Sequence, residues 1–184
     1  MYRKCVTDIS VHHQKKIEAA LLELMLRRPY GDISVTAICQ QAGIARRIFY
    51  HLFGTKHDTL CALVDHTILD LGSFRPEMTD ETLRFLLYWQ TQAPLLTALS
   101  QNQLQDFLLT RMINNVLKED FDILHLMQAE DPESRNEIIL FHLSGIWGLL
   151  LYWHHTGFQK TPEEMAVLIS ECAQYPSKNT EKTP

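Results

Sequence analysis

Apolar residues along this chain recur at three- and four-residue spacing, and no stretch alternates with the period of two that a half-buried strand requires. That feature restricts the chain to an all-α fold. Near the N terminus, Ile17, Ala20, Leu21 and Leu24 follow an i, i+3, i+4, i+7 pattern. They make one buried stripe on a helix expected from about Ser10 or His13 to Arg28. Pro29 cannot continue a helix, and Gly31 permits the turn after it. Ser34 is placed to cap a short second helix, VTAICQQA, with Val35, Ile38 and Cys39 inward. Gly43 breaks the chain, and a third short helix covers about 45–53. Thr55 with Asp58 three residues on has the form of a capping box for a fourth helix reaching about Leu71.

The segment GSFRPEMTDET (72–82) is polar and holds Gly and Pro, so it reads as a junction. Beyond it, helices are predicted near 80–92, 94–101, 103–128, 133–156 and 162–175, with breaks at Pro94, Pro132, Gly157 and Pro162. About nine helices result. They form a head, residues 1–70, and a body, residues 71–176. Residues 177–184 have nothing apolar to bury and are expected to be disordered.

Charge separates the same two parts. The 184-residue chain has a formal net charge of −5, and 46% of its residues are hydrophobic, enough for one medium core or two small ones. Residues 1–60 carry nine Lys/Arg against five Asp/Glu, whereas the rest carries eight against seventeen. A basic head on an acidic body suits a polyanionic partner, although a solvated surface explains so small an excess equally well. The longest apolar run, 145–153, is far short of the ~18–20 residues of a membrane span. No secretory signal pattern is visible, and the four cysteines lack paired metal spacing. A cytoplasmic protein with no membrane partner is expected.

The stretch AGIARRIFYHLF (42–53) concentrates the chemistry. On a helix with Phe49 inward, Ala45, Leu52 and Phe53 share its side, Arg47 and His51 lie opposite, and Ile48 and Tyr50 flank the outer face. A short helix, a glycine turn and such a helix make a helix-turn-helix, whose second helix enters the major groove. An arginine fork bonds guanine O6 and N7 or clamps a phosphate, and a tyrosine hydroxyl also reaches phosphate. Lys56, at the start of the next helix, adds charge where an anion is already favoured. From periodicity alone, DNA binding and a merely solvated helix face stand level.

Catalytic and metal motifs are missing: the sequence has no P-loop, no Gly-x-Ser-x-Gly and no His-Glu-x-x-His. Asp122 and His125 sit one turn apart, but a di-metal bundle needs two such motifs and two further glutamates. His154 and His155 are adjacent and point about 100° apart on a helix. No enzyme, cofactor or metal is expected.

Residues 33–60, ISVTAICQQAGIARRIFYHLFGTKHDTL, resemble the DNA-binding domain of the TetR family of transcriptional regulators. The matching positions are Ser34-Val35, Ile38, Ala42-Gly43-Ile44, Phe49-Tyr50, Phe53, Lys56 and Leu60, and the likeness extends over about 12–68. The stretch FHLSGIWGLLLYWHHTGFQKTPEEMAVLI (141–169) more loosely resembles a subgroup typified by dihydroxyacetone-operon activators, with Trp-x-x-x-Gly followed by a Pro-Glu-Glu helix start. The resemblance implies a regulator, in the first instance a repressor, that binds a pseudo-palindromic duplex as a homodimer. The sign of regulation itself depends on where the operator lies. DNA contacts are expected from Ser34, Thr36, Ala45, Arg46, Arg47, Ile48, Tyr50, His51 and Lys56. Three positions depart from the family pattern: Ala45 replaces a frequent capping Ser, Ile48 a phosphate-binding Thr, and Leu52 a phosphate-binding His. Ile48 either packs on a thymine methyl or extends the core.

The helix at 133–156 is apolar around nearly its whole circumference and so needs cover on every side. The expected dimer surface takes Ile138, Phe141, Gly145, Gly148, Leu149 and Trp153 from it, and Met165, Leu168 and Ile169 from the last helix. The resemblance also implies a cavity for a small hydrophobic effector, for which Phe85, Trp89, Phe107, Met112, Phe121 and His142 are candidates. Aromatics and methionines at helical spacing are more often core than cavity. Two alternatives remain: a regulator of this fold acting through a protein partner with weak or no DNA binding, and a metal-binding helical bundle.

Overall fold

Helix-period stripes punctuated by prolines and glycines fold as nine α-helices among the described residues of the computed structural model, which are 7–74, 80–117 and 135–174. In order they are α1 (Asp8–Met25), α2 (Val35–Ala42), α3 (Arg46–Leu52), α4 (Lys56–Ser73), α5 (Glu81–Thr91), α6 (Ala93–Gln101), α7 (Gln105–Leu117), α8 (Arg135–His155) and α9 (Pro162–Gln174). A 3-10 turn, Tyr30–Asp32, follows α1. Asp122, His125 and Phe121, and the tail expected to be disordered, lie outside the described residues.

The chain divides into two compact units. The first comprises residues up to Asp70 together with Pro94–Arg111. It is therefore larger than the expected head, because α6 and the first half of α7 join it. Asn102, just after α6, accepts from Tyr30 N at 2.5 Å and donates to Met25 O and Ala98 O at 3.2 and 2.7 Å. Arg111 grips Asp65 of α4 with two parallel bonds, at 2.6 and 2.5 Å. Ile17, Leu21, Leu24, Ile38, Phe49, Phe53 and Leu60 form the apolar centre.

The cap chemistry of this unit follows the sequence. Ser34 Oγ accepts from Ala37 N at 3.1 Å. Gly43 ends α2 at φ 64, a left-handed conformation that costs a side-chain-bearing residue about 1–2 kcal/mol. Asp58 accepts from Thr55 N at 3.0 Å while Thr55 Oγ1 accepts from Asp58 N at 3.1 Å, which closes the capping box.

The second unit holds Leu71–Ala93 and the residues from Met112 onward. Here α5 packs against α8 and α9. Arg84, buried, bonds Glu81 and donates to the carbonyls of Leu71 at 2.8 Å and Phe74 at 3.2 Å, closing the C-terminal end of α4. Trp153 Nε1 donates to Lys160 O at 2.8 Å across a turn in which Gly157 takes φ 70. Thr161 and Glu164 form a second capping box, with Pro162 at the first helical position. The Trp-x-x-x-Gly and Pro-Glu-Glu elements are thus the parts of one α8–α9 corner.

Candidate nucleic-acid interface

Helix α3 is built as a wedge. Phe49, Leu52 and Phe53 are 0, 5 and 1% exposed and pack toward α1 and α2, fixing the rotation of the helix. The opposite side is open to solvent: Arg46, Arg47, Tyr50 and His51 are all exposed, with Tyr50 at 51%. Arg46 Nη2 donates to Tyr50 Oη at 3.5 Å, and its guanidinium lies 5.8 Å from the Tyr50 ring centroid. Arg47 and His51 have no hydrogen-bond or ion-pair partner among the described residues. Thr36 of α2 is exposed, and Ser34 Oγ caps α2.

One expectation at α3 changes. Ala45, placed on the inner side by periodicity, is exposed, because it stands outside the helix as an N-cap with extended backbone and no side-chain bond. Ile48, for which a thymine contact and a core role both stood open, is half-buried and lines a shallow surface notch with His13, Arg47 and His51.

Lys56 differs most from its expected role. Its Nζ donates to Tyr30 O at 2.6 Å, Gly31 O at 2.9 Å and Ile33 O at 2.8 Å, and lies 4.6 Å from the Tyr30 ring centroid. All three ammonium protons are spent on the 3-10 turn, so this residue organises backbone instead of presenting a free donor to phosphate. Burial, the largest cause, pushes the Tyr30 hydroxyl up to about 12, keeping the phenol neutral beside this cation. Sequence reasoning missed this lock because the spacing between residues 30–33 and 56 carries no periodic signal.

Residues 77–175 match a family model described as a transcriptional regulator C-terminal region, and residues 17–62 match one described as bacterial regulatory proteins, tetR family. The chain belongs to the TetR family of transcriptional regulators. Two solved structures share the TetR-family fold. One is titled dihydroxyacetone kinase operon activator DhaS, at TM-score 0.59 and 20% identity, covering 90% of this chain and 96% of that one. The other is a tetR-family transcriptional regulator from Streptomyces coelicolor, at TM-score 0.54 and 20% identity, covering 85% and 76%. No curated protein matches the chain.

In the second unit of this TetR-family chain, the residues expected at a dimer surface divide. Trp153, Met165 and Ile169 are 1, 2 and 7% exposed within a single subunit, so they are core and cannot meet a partner. Phe141, at 75%, and Gly145 and Gly148 are exposed on the opposite side of α8, with Ile138 and Leu149 half-buried at its edge. Leu168 is half-buried on α9. Tyr152, 66% exposed, extends that face, and Val167 of α9 is 60% exposed; neither was expected there.

The residues expected to line an effector cavity are each described within their own unit, and Phe121 lies outside the described residues. Phe107 belongs to the first unit, where its ring lies 5.5 Å from that of His57 and carries the Arg111 guanidinium at 5.5 Å. Phe85, Trp89, Met112 and His142 belong to the second. There Trp89 meets Trp147 edge to face at 5.6 Å, and both indole N–H groups are buried without a hydrogen-bond partner among the described residues. An unpaired buried donor costs about 1–3 kcal/mol. Among the described residues, no group of three or more His, Cys, Asp or Glu is placed to hold a metal, and no helix is long and apolar enough to cross a membrane.

Proposed function

We propose that this TetR-family regulator binds a pseudo-palindromic DNA operator as a homodimer, with α3 of each subunit in a major groove. The observation that carries the reading is the two-sided construction of α3. Its inner side is almost fully buried, and its outer side presents Arg46, Arg47, Tyr50 and His51. A duplex read by two such helices places half-sites about 34–36 Å apart, which demands a two-fold pair. The exposed face Phe141, Gly145, Gly148 and Tyr152 supports pairing through α8, because the two glycines leave open space where a partner helix can approach closely. Thr36, exposed on α2, and Ser34, its cap, are proposed as further contacts, whereas Lys56 acts by holding the turn.

The Trp89–Trp147 pair supports an effector that is largely apolar and carries a hydrogen-bond acceptor for the indole donors. Release of the operator then requires only that the effector favour one of two dimer shapes. The test of the main reading is selection from a random duplex pool, followed by anisotropy titration and sedimentation. An enriched pseudo-palindrome bound by two subunits supports it. A dimer with no duplex preference favours action through a protein partner instead.

A further inference from the structure

Helix α1 precedes the helix-turn-helix and contributes none of the residues expected to touch DNA. The structure nevertheless sets His13 of α1 beside Arg47, Ile48 and His51 of α3 around one shallow notch. The notch is lined largely by carbon, and the residues around it supply one aliphatic side chain, one guanidinium and two imidazoles. His13 is half-buried and has no hydrogen-bond partner among the described residues. Since α3 packs directly on α1, the separation of the two walls is fixed by the core beneath them. Leucine and phenylalanine side chains at 52, 49 and 53 already fill that core, so Ile48 is not needed to seal it.

We propose that His13 and Ile48 together form a thymine-reading notch, in which the thymine 5-methyl sits against Ile48 and His13 closes the side away from the α3 axis. The proposal rests on the DNA-binding reading above and names which base that face selects. In the major groove the thymine methyl is the apolar group on a base edge, and a cup of carbon with the Arg47 guanidinium beside it matches a methyl flanked by acceptors and phosphates. Other side chains of the notch, Arg47 and His51, are free to donate to those neighbours.

The test uses the full chain and the duplex recovered from a random pool by the wild-type protein. Each thymine is replaced in turn by deoxyuridine, which removes the methyl and leaves the Watson–Crick edge unchanged. At one thymine per half-site, methyl removal should weaken binding about fourfold, the effect of one buried methyl-sized group. His13→Ala and Ile48→Ala should each bring that penalty below about twofold, while Ile48→Val should retain most of it. Thermal midpoints of the variants check that each remains folded, and His13→Gln provides a second variant that keeps the wall. Salt-sensitive duplex binding with no thymine-to-uridine penalty at any position would overturn the notch alone. So would a penalty undiminished in folded His13→Ala. Failure to enrich any duplex would instead remove the DNA-binding reading, and the notch with it.

Discussion

At the scale of single residues, the head is organised by two charged groups that hold the chain together. Lys56 replaces water with three backbone carbonyls, and hydrogen bonds to a charged group contribute about 1.5–3 kcal/mol. Lys56→Met should therefore lower unfolding free energy by about 2–3 kcal/mol in denaturant titration. It should leave the salt dependence of duplex binding by the folded fraction nearly unchanged, since no phosphate-directed donor is lost. His66 Nδ1 lies 3.0 Å from both carboxylate oxygens of buried Glu18, joining α4 to α1. The hydrogen bond to Glu18 is the main cause that raises the His66 pKa, with burial opposing it and Glu18, Asp65 and Asp70 adding to it electrostatically. A raised folded value means that protonated His66 stabilises the fold. That contribution is complete below the unfolded value of about 6.5 and is lost as pH rises through the higher folded value. Thermal midpoints measured from acid to alkaline pH should decline through this window, and His66→Gln should flatten the decline.

At the scale of elements, punctuation was legible and tertiary choice was not. Ser34, Gly43, the Thr55–Asp58 box and Pro162 mark helix ends through local backbone chemistry, so the sequence located α2, α3, α4 and α9 to within a residue or two. Gly43→Ala should destabilise the protein by about 1–2 kcal/mol, because φ 64 is strained for alanine while nothing obstructs its Cβ; chemical unfolding measures this. Ser34→Ala, which removes one cap bond, should cost about 1 kcal/mol. The outer face of α3 was legible too, because Phe49 fixes its rotation. Helix α8 was not. Its apolar residues lie on every side, so periodicity gives no direction, and only folding decides that Ile139, Leu143, Trp147, Leu150 and Trp153 face the core while Phe141 and Tyr152 face out. The bonds that Asn102 and Lys56 make to the segment 25–33 were not legible for a related reason: each spans a long sequence separation, where no spacing rule applies.

At the scale of the whole molecule, the proposed function depends on pairing. A helix-turn-helix reads few base pairs, and two-fold symmetry converts a weak half-site reader into a selective one. If two subunits pair through α8 as proposed, Phe141→Glu should give a monomer in sedimentation velocity without lowering the thermal midpoint of the subunit, because Phe141 is 75% exposed there. Operator affinity should fall with it. A variant that remains dimeric would place the interface elsewhere. The measurement closest to the central claim is anisotropy titration of the selected duplex with Arg46→Ala/Arg47→Ala, over roughly 50–200 mM salt. If α3 meets DNA with its cationic side, the folded, dimeric variant should bind at least about a hundredfold more weakly, given about 1–3 kcal/mol for each good arginine contact, and with a shallower salt slope. Undiminished affinity with an unchanged slope would contradict the account.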